Sequence, residues 1–469
     1  MTDTWKISPD WSSDVSSAVS YNNGVLPTFD DDSIGPDMVA WNKFKPMLDK
    51  SIREAPSFNG TGALVSTYSL VYTLASAYRG GVLAPNGDIH FIPYSANRGQ
   101  KISAAGAVST YSLVYTTTTA YVGGVLAPNG DIHFVPYLAD VGQKISASGV
   151  VSTYSLVYTA GNAYSGGVLA PNGDIHFIPY SANRGQKISA AGTVSTYSLV
   201  YTTTNAYSGG VLAPNGDIHF VPYLADVGQK ISASGVVSTY SLVYTAGNAY
   251  SGGVLAPNGD IHFIPYSANR GQKISAAGTV STYSLVYTTT NAYSGGVLAP
   301  NGDIHFVPYL ADVGQKISAS GVVSTYSLAY TTSGTGGTHR GGVLAPNGDI
   351  HFAPSNAGVG QKISTSGVIS TYSLVYIGTA AYNGGVLAPN GDIHFIPSGA
   401  SVGQKVSASG VVSTYSLVYT AASLTYSGGV LAPNGDIHFI PTVATVGQKI
   451  TTGAPTSIGI AASPFFNKF

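Results

Sequence analysis

Nine histidines, His90 to His438, recur in one string, Asn-Gly-Asp-Ile-His-Phe, each with an aspartate two residues before it. Imidazoles and carboxylates at fixed spacing could hold a metal or move protons. A shared ion needs imidazole nitrogens converging at about 2 Å. Equivalent positions on facing sheets stand roughly 10 Å apart. The histidines are therefore expected to be structural, each bonded to a nearby Tyr or Ser. The Asn86-Gly87-Asp88 turn and its copies supply one carboxylate each, against the six to eight oxygens that calcium takes. No metal and no cofactor is predicted.

Catalytic groups are sparse. The repeats contain no Glu, and beyond the turns Asp occurs there only at Asp140, Asp226 and Asp312. Neither a carboxylate pair for glycoside hydrolysis nor a Gly-x-Ser-x-Gly elbow, phosphate loop or His-Glu-x-x-His motif is present. On these grounds the chain is expected not to be an enzyme.

The elements that carry these residues repeat. Gly-Gly-Val-Leu-Ala-Pro-Asn-Gly-Asp-Ile-His-Phe occurs nine times, starting at Gly80, Gly123, Gly166, Gly209, Gly252, Gly295, Gly341, Gly384 and Gly428. The period is 43 residues, stretched at two joints, and residues 123–208 recur unchanged as 209–294. Each unit reads as four short strands, taken in the first full unit as Gly81–Ala84, Asp88–Pro93, Gln100–Ser103 and Val108–Thr116. Asn-Gly marks the first hairpin, because both residues tolerate positive φ. Four strands in this length make a propeller blade. A lone fourth strand, Val65–Thr73, opens the array, and the last unit lacks one. Pairing the two closes a ring and removes two exposed edges. The fold class predicted is all-β, a nine-bladed propeller of four-stranded antiparallel blades closed by the N-terminal strand, with an axial channel.

The string resembles propeller repeats of the form GGVLxPxGxIxxxP found in bacterial, protist and viral proteins, over residues 64–451. The resemblance implies architecture and, through the viral members, a place among phage structural proteins. Fold alone does not assign function.

Units differ in the loop after the second strand and in the joint between units, which share one rim in an up-and-down blade. A binding rim is expected there, carrying Tyr94, Arg98, Tyr121, Tyr137, Tyr164, Arg184, Arg270, His339 and Arg340. Aromatic and Arg groups favour contact hot spots.

Residues 1–60, which hold the three tryptophans, are expected to form a distinct, partly helical arm. Trp5, Trp11, Trp41 and Phe44 are its expected anchors on other virion or scaffold subunits. The propeller takes 61–452 and a Phe-rich tail 453–469. Net charge near −1 and no Lys/Arg run argue against nucleic acid as a partner. No membrane span and no signal peptide are read, and the absence of cysteine leaves the redox compartment open. Tyr/Gly/Ser/Thr-rich composition and duplicated blades point to a phage virion protein of the tail or an attachment appendage, localised in the virion. The competing reading is a glycan- or surface-binding propeller lectin.

Overall fold

The structure, a computed structural model, describes residues 64–452 apart from 71–72, 74, 158, 160, 243–246, 332–336 and 418–424. The expected arm, with Trp5, Trp11, Trp41 and Phe44, and the tail lie outside the described residues.

Turn chemistry sets the strands. Gly87 adopts φ +83°, and its N–H donates to the Ala84 carbonyl at 2.9 Å. The Asp88 N–H donates to Asn86 Oδ1 at 3.0 Å. A side chain at Gly87 would be strained by that φ and would lie 2.9 Å from the Ala104 methyl. A second tight turn closes at Gly106, φ +83°, with its N–H on the Ser103 carbonyl at 2.7 Å.

The described residues form thirty-six strands, β1 to β36 in chain order. After β1 (Leu64–Ser69) the first full blade is β2 (Tyr78–Leu83), β3 (Ile89–Pro93), β4 (Arg98–Ile102) and β5 (Val108–Ser112). Eight sheets of four consecutive antiparallel strands follow the chain, and the ninth is ordered β1-β36-β35-β34. In that sheet β34 is Tyr426–Leu431, β35 is Ile437–Pro441 and β36 is Val446–Thr451. Leu64 pairs with Thr451 and Tyr68 with Gly447. The protein is therefore a nine-bladed propeller whose first strand completes its last blade. Blades are numbered 1 (β2–β5) to 9 (the closing sheet).

The innermost strands face one another around the axis. A Cβ on Gly341 would stand only 3.4 Å from the Gly384 Cα of the next blade. The blades thus converge more tightly at the axis than the roughly 10 Å sheet spacing suggests. The second Gly of each pair serves the same approach: a Cβ at Gly124 would meet Ile92 and Val82 of blade 1 at 2.6 and 2.9 Å.

Each core lies between blades. Ala84 and Ile92 of blade 1 pack with Tyr121, Ile132, Phe134 and Ile145 of blade 2. Every residue of β3 is buried, which explains its apolar character on both faces. Burying one such Phe stabilises by roughly 1.5–3 kcal/mol. The fourth strand ends earlier than expected, at Ser112. Beyond it the Val114 and Tyr115 N–H groups turn away and donate to Gln143 Oε1 of blade 2, at 2.9 and 3.0 Å. A tie between blades replaces the last rungs of the ladder.

Candidate functional site

The repeated polar cluster sits at the first-hairpin end of each blade. Lys101 Nζ lies 2.6 Å from Asp88 Oδ2, and the Ala104 N–H donates to Asp88 Oδ1 at 3.1 Å. The same ion pair recurs in every blade, through Lys449–Asp436 in the last. Burial pushes the Asp88 carboxyl up, but the Lys101 and Ala104 bonds outweigh it and leave it below the ordinary carboxylate range. His90 packs beside this pair with its ring 5.7 Å from that of Tyr111. In blade 7 His351 Nδ1 stands 3.3 Å from the Tyr372 hydroxyl. Burial first, and Lys101 second, push the His90 pKa down to about 4, partly offset by Asp88. A neutral imidazole locked in a blade is a packing group, not a proton carrier near neutral pH. Among the described residues no group of three metal-ligating side chains comes together.

Several residues expected on the rim are not on the surface. Tyr121 and Tyr164 are wholly buried. Their rings pack at a tilt against Phe134 and Phe177, and their hydroxyls donate to the Val141 and Arg184 carbonyls at 2.9 and 3.0 Å. His339 fills the same slot in blade 7 and is buried against Phe352. An amphipathic ring in a variable joint reads as exposed from sequence; the strand in fact begins at that residue and turns it inward. Arg98, Arg184 and Arg270 are exposed, and Tyr94 and Tyr137 are half-buried.

Tyr94 and Tyr137 belong to a series that rim reasoning saw only in part. The residue after the second strand is Tyr in blades 1 to 6: Tyr94, Tyr137, Tyr180, Tyr223, Tyr266 and Tyr309. Ring centroids are 6.4 Å apart for Tyr137–Tyr180 and Tyr180–Tyr223, and 6.2 Å for Tyr266–Tyr309. Blades 7 to 9 place Ser355, Ser398 and Thr442 there. The result is a tyrosine arc beside the axial mouth with a three-blade gap.

An arginine closes each end. Arg79 lies 5.6 Å over the Tyr94 ring, and Arg340 lies 5.6 Å over Tyr309, with Nη2 3.3 Å from its hydroxyl. The arc is held from behind: the Ala120, Ala163 and Ala206 N–H groups of successive blades donate to the Tyr94, Tyr137 and Tyr180 carbonyls at 2.6–2.8 Å. Burial first, and neighbouring tyrosines second, raise the Tyr180 hydroxyl above its usual pKa. The Tyr180 hydroxyl is thus a neutral donor. A half-exposed row of rings with hydroxyls and bounding cations can stack on flat ligand faces and hydrogen-bond their edges.

Fold and mouth together define a closed propeller of repeated blades with one broken symmetry. The chain belongs to the Virginiamycin B lyase family, whose model matches residues 65–315. Among solved structures it is similar to a streptogramin B lyase, at 20% identity, with 62% of this chain and 95% of that one covered and a TM-score of 0.44. A catalytically inactive virginiamycin B lyase from Staphylococcus aureus with quinupristin gives 17% identity, 67% and 100% coverage, and a TM-score of 0.43. The dihydro-heme d1 dehydrogenase NirN gives 10% identity, 79% of each chain and a TM-score of 0.51. No curated protein matches the sequence.

Family membership overturns the expectation that the chain is not an enzyme, since the family is named for a lyase. That expectation rested on the scarcity of carboxylates in the repeats and on the absence of motifs tied to other folds. The resemblance to propeller repeats stands for the fold; its viral branch finds no support in these matches.

Proposed function

We propose that the chain is a binding propeller that takes a glycan at the axial mouth, on the tyrosine arc of blades 1 to 6. The carrying observation is the run of six half-buried tyrosines, spaced at 6.2–6.4 Å where their rings pair. The apolar C–H faces of pyranose rings stack on such a platform, and their hydroxyls meet the tyrosine hydroxyls. Arg79 and Arg340 limit the platform to one run, so one extended ligand per ring is favoured over nine equivalent sites. The virion setting expected from composition draws no support from fold or family and forms no part of the proposal.

A slide of immobilised pyranose oligosaccharides, probed with the full chain, tests the reading. Binding that rises with chain length and saturates at one ligand per propeller is expected; no glycan bound, or binding retained without the arc, rejects it. Because the family is named for a lyase, the bound saccharide should also be followed for bond cleavage.

A further inference from the structure

The charges of the propeller are unusually few and are segregated. Between residues 64 and 452 the nine Lys and nine turn Asp residues are consumed in the internal pairs described above. What remains is Arg79 and Arg340 at the mouth, and Arg98, Asp140, Arg184, Asp226, Arg270 and Asp312. Arg98, Arg184 and Arg270 open the third strand of their blades, and Asp140, Asp226 and Asp312 lie one position earlier, at the end of the loop before it. All six are on the same rim as the arc and exposed. Among the described residues none of the six makes an ion pair. Asp140 and Asp226 accept no cation; their N–H groups donate to the Tyr115 and Tyr201 hydroxyls.

Their order around the ring alternates. Blades 1, 3 and 5 carry Arg98, Arg184 and Arg270; blades 2, 4 and 6 carry Asp140, Asp226 and Asp312. Blades 7 to 9 carry no charge in this loop. The charged run covers the same six blades as the tyrosine arc. It stands outside the arc, because each Tyr follows the second strand and each Arg opens the third.

We propose that this rim is an isologous interface with a second copy of the chain, formed rim to rim about a two-fold axis. Two rings facing each other run in opposite senses, so blade numbers in contact have a constant sum. A sum of seven sets blade 1 on blade 6, 2 on 5 and 3 on 4. Arg98 then meets Asp312 of the second copy, Arg270 meets Asp140, and Arg184 meets Asp226, each twice by symmetry. The same axis passes through blade 8, the centre of the uncharged gap. Arg79 faces blade 6 and Arg340 faces blade 9, where Ser294 and Ser427 hold the matching positions. A slip of one blade would set Arg on Arg and Asp on Asp, and a slip of two loses a third of the pairs. Complementarity of this kind fixes register and partner. Leu138 and Leu224, 40% and 36% exposed on the same loops, come opposite Ser267 and Ser181 and are covered. Rim-to-rim pairing brings the two mouths together and competes with an extended glycan on the arc. The two readings are therefore tested apart: the charge variants below leave the arc tyrosines untouched, and self-association is read without glycan.

Sedimentation of the full chain at tens of micromolar, in ~0.05 M and ~0.5 M salt, reads the association, because exposed charges are screened over about a Debye length. A dimer that weakens with salt is expected. The all-acidic variant Arg98→Glu/Arg184→Glu/Arg270→Glu and the all-basic variant Asp140→Lys/Asp226→Lys/Asp312→Lys should each lose self-association at least ~tenfold. Mixed in equal amounts they should pair with each other. Unchanged melting of both variants confirms that exposed substitutions leave the blades intact, and the milder Arg→Gln set should give an intermediate loss. A monomeric wild type, a variant that dimerises as well as wild type, or a mixture that does not pair overturns the proposal.

Discussion

The ring of Tyr68, in the first strand, lies over Gly447, in the last: a Cβ built on Gly447 would stand 1.8 Å from Tyr68 Cε2. The two residues are direct partners in the sheet that closes the propeller. The same cover of a glycine by a tyrosine recurs within the other blades, as Tyr240 over Gly228, but only here does it join the two ends of the ring.

Gly447→Ala should therefore act differently from Gly228→Ala. Both displace a buried ring and should cost about 1–3 kcal/mol as overpacking. Hydrogen exchange will separate them: Gly447→Ala should expose β1 amides first, whereas Gly228→Ala should leave β1 protected.

The ion pair of each blade predicts an asymmetry between its partners. Asp217 accepts both Lys230 and the Ala233 N–H, so Asp217→Ala removes two bonds and leaves a donor in the turn. Lys230→Met removes one, and the Lys230 side chain is 27% exposed. We expect losses of about 2 and about 1 kcal/mol respectively, read as ordered falls in melting temperature.

Acid should weaken the protein in a defined window. The strand histidines are held neutral, with pKa lowered from 6.5 to about 4, burial being the main cause. The unfolded chain takes up these protons as pH falls through 6.5, and the folded chain does so only near 4. Stability is thus present above 6.5 and is lost as pH drops between those values. The turn carboxylates of blades 1 to 6, with lowered pKa, add a further loss below the ordinary carboxylate pKa. Melting temperature should be flat between pH 7 and 8 and fall steeply from pH 6 to 4.

His339 stands where eight blades place a buried tyrosine whose hydroxyl caps a carbonyl, as Tyr382 caps Val402 at 2.9 Å. His339→Tyr should stabilise by about 1 kcal/mol and blunt the acid loss, since burial holds this imidazole down to about 3. Differential scanning calorimetry at pH 7 and pH 5 would show both effects.

The sequence made the ring legible because its signals are local and repeated. Asn86-Gly87 fixes a hairpin whatever surrounds it, and the lone Val65 strand has one free edge to pair with. The rim was harder. Tyr94 and Tyr121 are both tyrosines in variable segments, yet one faces the mouth and the other the core, since a strand's inward face depends on where its ladder starts. The bulge between Tyr78 and Gly81 sets that register, and it has no signature beyond a Gly pair. The arc itself could have been found by comparing the residue after each Ile-Pro or Val-Pro: six tyrosines, then Ser355, Ser398 and Thr442. The exclusion of catalysis failed because motif absence was judged against other folds.

Glycan binding turns on the arc, and calorimetric titration of the best-binding oligosaccharide against arc variants tests it. Tyr180→Ala/Tyr223→Ala should weaken binding at least tenfold, about 1.4 kcal/mol, with melting temperature held. Val236→Ser, on the opposite rim and 62% exposed, should change nothing. Equal affinities for the two variants, or nine equivalent sites per ring, would contradict it.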